Sequence, residues 1–195
     1  ETNSLDKINR ILGNGNTIDF IKSFTRSLAA SFEHLSQFFG KHERESFRIH
    51  SLITLDGIAV ALPFVIKAYR YGLALEEIEK LCSALESLVF RHRLIGTRAD
   101  LTSRINDVFE KFTENKKDIS PIITRVELMK TTTDWWWGYW NNDKLREALQ
   151  GAMNHSVAKY ILWKYENQLR EQGKAGYILR YDQIELPELE HIAPT

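Results

Sequence analysis

The only place in this sequence where a carboxylate and an imidazole adjoin in an extended, proline-bounded segment is Glu190-His191. It lies within residues 181–195, YDQIELPELEHIAPT, where helix propensity collapses at Pro187 and Pro194. A strand turns neighbouring side chains to opposite faces, so one of the two could reach a metal while the other faces water or substrate. Residues 41–46, KHERES, bring His42, Glu43 and Glu45 together, but a charge run of this kind reads first as a solvated loop or frayed helix start. Residues 134–140, DWWWGYW, hold four tryptophans and a tyrosine. Their rings could stack on unpaired bases or close a seam between helical layers, and the lack of interleaved Lys or Arg favours packing.

These groups must be positioned by helices. Leu5, Ile8, Ile11 and Leu12 recur at helical spacing before the stop at residues 13–16, GNGN. Thr17 or Asp19 can cap a longer helix through Phe39 with Phe20, Phe24, Leu28, Phe32 and Leu35 on one stripe. Residues 49–69 are apolar nearly all round and read as one buried helix kinked near Pro63, in which Asp56 needs a partner or a wet exit. Residues 75–95 form the clearest amphipathic helix. Glu76, Glu77 and Glu79 lie at its start, Arg91, His92 and Arg93 at its end, and Ile78, Leu81, Leu85, Leu88 and Val89 face inward. Gly96 stops it.

Asp100 or Thr102 opens a helix to Glu114 with Ile105, Val108, Phe109 and Phe112 inward, and Ser120-Pro121 opens another to about Lys130. Asn142 or Asp143 caps a short helix to Gln150. A final helix over residues 154–171 turns Val157, Ile161, Leu162, Tyr165 and Leu169 inward, and residues 177–186 read as strand. The expected fold is all-α, a multi-helix bundle with a short extended or strand segment at the C-terminus. The bundle spans residues 1–176, with a sub-boundary near 40–48, and residues 177–195 begin something different. Without a pairing partner that strand is expected to be frayed or covered by a neighbour.

With 195 residues the chain can bury a substantial core, and 43% hydrophobic and 27% charged residues are ordinary for a globular domain. Lys and Arg number 26 against 26 Asp and Glu, so no global basic field collects nucleic acid. The single Cys82 excludes an intrachain disulfide and a cysteine-cluster zinc site, and fits a reducing, cytoplasmic setting. No stretch is clean enough to span a membrane. The chain begins at Glu1 without a signal-like segment and stops four residues after His191, so it reads as a piece of a longer polypeptide.

Two stretches carry a resemblance. ILWKYENQLREQ, a loop, then IELPELEHIAP resembles the entry into the C-terminal domain of the GmrSD-type restriction endonuclease family, where a helix leads through a loop to a strand carrying Glu-His-Ile-x-Pro. LESLVFRHRLIGTRADLTSRINDVFEKF is similar to the helical middle of those proteins. The resemblance covers most of residues 75–195 and is most specific at 190–194. It implies an HNH-like, metal-dependent nuclease domain preceded by helices, with DNA as the parent's partner, further domains upstream and downstream, and room for a homo-oligomer.

By position, Glu190 would be a ligand of Mg²⁺ or Mn²⁺ and His191 the general base, in keeping with the hard cation and near-neutral base that phosphodiester hydrolysis needs. The strand and helix that complete such a site do not follow, so the chain as given should be catalytically silent and hold no metal. Arg91, Arg93, Arg98 and Arg104, on one helix end, its loop and the next helix, are the candidates for phosphate contacts, against the alternative that they satisfy helix carbonyls and surface carboxylates. The rival reading is a non-catalytic helical interaction module that docks a partner through the tryptophan cluster.

Overall fold

The structure is a computed structural model that describes residues 4–13, 17–173 and 179–184. The described residues are helical almost throughout: α1 (Ser4–Gly13), α2 (Thr17–Ser36), a single turn α3 (Glu43–Glu45), α4 (Phe47–Thr54), α5 (Leu62–Arg70), α6 (Leu75–Ile95), α7 (Leu101–Lys111), α8 (Ser120–Thr131), α9 (Asn142–Gln150) and α10 (His155–Gly173). None of these helices is long and apolar enough to cross a membrane. The expected all-α bundle is what folds.

α6 is the axis of the bundle. Its stripe Ile78, Leu81, Cys82, Leu85 and Leu88 is buried against Ile49 and Leu52 of α4, Phe64, Val65 and Ala68 of α5, and Ile122, Val126 and Met129 of α8. Gly96 ends α6 in the left-handed conformation at φ 66°, which glycine adopts without a Cβ clash. The Asp100 carboxylate accepts from the Ser103 N–H and starts α7. α7 in turn ends early, at Lys111, where Lys67 of α5 donates to the carbonyls of Phe109 (2.6 Å) and Phe112 (3.1 Å) and sits 3.7 Å above the Phe109 ring. That cation satisfies carbonyls that have no partner inside the helix.

Two expectations are corrected. The apolar run 49–69 is two helices, not one with a kink. Asp56 and Gly57 take φ 61° and 82°, a turn no helix continues through, and Pro63 lies in the first turn of α5, where its missing N–H costs nothing. Asp56 is exposed there, with its carboxylate 3.7 Å from Arg93. α10 is rotated from its expected orientation: Val157, Tyr160, Trp163 and Asn167 are buried, while Leu162, Tyr165 and Leu169 are exposed. The larger apolar area of Trp163 and Tyr160 outweighs that of the aliphatic stripe. α2 buries none of its residues and leaves its apolar stripe facing out.

Residues 179–184 depart from the expected strand. Tyr181–Gln183 is a single 3-10 turn, and the segment's polar backbone is met by side chains of the helical body.

Candidate mounting site for the C-terminal segment

The segment that precedes Glu190-His191 lands on a corner made by α3, α4 and α10. His50 of α4, buried, is the pivot. The Tyr181 N–H donates to its Nε2 at 3.1 Å, and its Nδ1 lies 2.5 Å from the Glu43 carboxylate and 3.0 Å from Arg180 Nη2. The same carboxylate oxygen accepts from Arg180 Nη2 at 2.5 Å, and Arg180 Nη1 donates to the Glu43 carbonyl at 3.1 Å. On its other side Arg180 pairs with Asp182, whose carboxyl it holds below the usual carboxylate range.

One turn of α10 completes the clasp. The Asn167 amide takes the Leu179 N–H on its oxygen at 2.7 Å and donates to the Leu179 carbonyl at 2.9 Å, the pairing a neighbouring strand would supply. Trp163 Nε1 donates to the same carbonyl at 2.7 Å, and the Trp163 ring meets the Tyr181 ring edge-on at 5.5 Å. Both backbone groups of Leu179 are therefore satisfied by buried side chains, which is why no strand partner is needed.

Beside this corner runs a groove of about 1010 Å³ between α4, α6 and α10. Phe47, Phe90 and Tyr160 line it together with Glu79, Glu86 and Lys164. Tyr160 donates to Glu86 at 2.6 Å, and burial beside that carboxylate raises its hydroxyl pKa. Lys164 lies 3.5 Å from Glu86 and donates to Ser51 Oγ at 3.2 Å, so α10 is joined to the bundle by long side chains across the groove.

The four arginines do not share a face. Arg91 is buried and donates to the Trp140 carbonyl and to Asn142 Oδ1, each at 2.8 Å. Arg104 is buried too. It donates to the carbonyls of Trp136 and Asp100, and its guanidinium lies 3.9 Å over the Trp136 ring. Arg93 donates to the Leu55 carbonyl at the turn after α4. Arg98 is exposed. Arg91, Arg93 and Arg104 thus each donate to a backbone carbonyl.

Arg91 and Arg104 hold the tryptophan turn in place. Trp140 is fully buried, and its Nε1 donates to His92 Nδ1 at 3.1 Å, while Trp135 at the far end is 76% exposed. Arg125 of α8 stacks 4.3 Å over Trp137 and pairs with Asp107 through two bonds of 2.6 and 2.8 Å. The cations missing from the aromatic run itself are supplied by α6, α7 and α8, which sequence spacing did not reveal. Gly138 is required by contact: a Cβ there would lie 2.8 Å from the Thr132 carbonyl oxygen.

Glu190 and His191 lie outside the described residues. His42, Glu43 and Glu45 do not gather as a metal site. Among the described residues no group of three or more His, Cys, Asp or Glu could hold a metal ion, so the helical body does not supply a donor set of its own. His155, at the start of α10, is exposed. The chain matches no family model, no curated protein and no solved structure.

Proposed function

We infer that this chain is a helical scaffold that holds and orients the opening of an HNH-like, metal-dependent DNA nuclease element, of the kind the GmrSD-type family carries. The observation that supports this reading is the mount at Leu179–Ile184: a segment leading to Glu190-His191 is clasped by buried side chains from α4 and α10. A nuclease element gains from such a base, because catalytic groups act only when held within a fraction of an ångström of their working geometry. In the longer polypeptide this proposal implies, Glu190 is a ligand of Mg²⁺ or Mn²⁺ and His191 the base that takes a proton from the attacking water. DNA, a restriction or phage-defence role and a cytoplasmic setting belong to the same proposal.

Its test is cleavage of plasmid and of modified phage DNA, with added nucleotide, by the polypeptide extended past Thr195. Metal-dependent cutting that disappears in His191→Ala is the expected result. Cutting that survives the substitution, or none on either DNA, sinks the reading.

A second reading, a non-catalytic interaction module, is favoured by the exposed Trp135 beside the half-exposed Trp136 and Tyr139. It predicts that Trp135→Ala abolishes capture of a partner domain and that the extended polypeptide cuts neither DNA. Metal-dependent cutting, with capture intact in Trp135→Ala, would reverse that choice.

A further inference from the structure

We propose that the bare face of α2 is a self-association surface, taken by the α2 of a second copy of this chain. Ile18, Ile21, Thr25, Leu28, Phe32 and Leu35 alternate spacings of three and four along the helix. That is the repeat of a helix-to-helix seam, and Phe20 and Phe24 widen the apolar face along one of its edges. The seam is uncovered: Ile18 is 67% exposed, Phe24 beside it 55% and Phe32 64%. α1 contacts α2 but leaves Ile18, Ile21, Leu28 and Phe32 open.

Three observations select a second copy as the occupant. The exposed apolar side chains of α2 present roughly 500–600 Å², so two copies together would bury about 1,000–1,200 Å², the lower end of specific interfaces. No charged residue stands in the seam, so two identical faces meet without like-charge repulsion, as a two-fold interface requires. Asp19, Arg26 and Glu33 lie away from the seam and Lys22 at its edge, two acids and two bases, so the helix lacks the net positive charge by which an amphipathic helix engages an anionic membrane. Ala29 and Ser36 flank the seam with small side chains that let two helices approach closely.

Sedimentation equilibrium of the 195-residue chain across low to high micromolar concentration is the test. A monomer–dimer equilibrium is expected. Phe32→Glu should weaken it by at least about thirty-fold, the effect of losing a central interface residue. Arg26→Glu, on the opposite side, should leave it unchanged. Phe32 is exposed, so the helix content and Tm of the dilute variant should match the parent's, which separates lost association from lost folding. A chain that is monomeric at all concentrations overturns the proposal. So does association that is equal in parent and Phe32→Glu, or a monomer that partitions onto vesicles of anionic lipid instead.

Discussion

α2 and α6 are built alike and used differently. They have 20 and 21 residues, and each carries an apolar stripe at helical spacing. α6 buries its stripe completely, whereas α2 buries nothing. The difference lies in their neighbours. α6 is met by α4, α5, α8 and α9 on successive sides, while α2 touches the body chiefly near its C-terminal end, where His34 stacks on Tyr69. A periodic stripe announces that a face will be covered. It does not say that the same chain covers it.

The contrast can be broken by substitution. The largest effect belongs to α6: Leu81→Ala should cost about 3 kcal/mol, because its neighbours collapse only partly into the cavity. Denaturant unfolding measures it, and a loss under about 1 kcal/mol would mean that α6 is not the axis of the core. Arg91→Ala comes next, on the order of 2–3 kcal/mol, since it removes two charge-assisted bonds and leaves the Trp140 carbonyl buried without a donor. Gly138→Ala should cost about 1–3 kcal/mol by forcing the tryptophan turn away from Thr132.

A smaller effect comes from pH. Burial lowers the pKa of His92, whose Nδ1 accepts from Trp140. The unfolded chain therefore takes up the proton first as pH falls, so this stability is complete above the unfolded histidine pKa of about 6.5 and is lost as pH drops through the folded value. Tm measured from pH 7 downward should fall, and His92→Gln should flatten that fall. The smallest effect returns to α2: Leu28→Ala in dilute, monomeric protein should change stability by no more than about 0.5 kcal/mol.

Much of the helical layout was legible because its signals are local. The acidic start of α6, Gly96 after it, Asp100 before α7 and Pro121 in α8 all act within a turn of where they stand. The break after Thr54 was harder to see, since apolar periodicity runs on while the left-handed residues Asp56 and Gly57 divide it. The facing of α10 was misread because two aromatic rings outweigh a longer aliphatic stripe. The mount was not legible at all. Glu43, His50, Asn167 and Arg180 come from separate elements as much as 137 residues apart, and no spacing rule reaches that far. The arginines show the same limit: Arg91 and Arg104 look like a surface set along the chain until the tryptophan turn folds over them.

The clasp on the C-terminal segment is the central claim, and amide hydrogen exchange at Leu179 and Tyr181 tests it most directly. Both N–H groups donate to side chains of the helical body, to Asn167 and His50. Protection is expected at both positions in the dilute chain. Asn167→Ala should abolish protection at Leu179 while α6 stays protected. Exchange at the free-peptide rate in the unsubstituted protein would contradict it, and the helices would then hold nothing in place for Glu190 and His191.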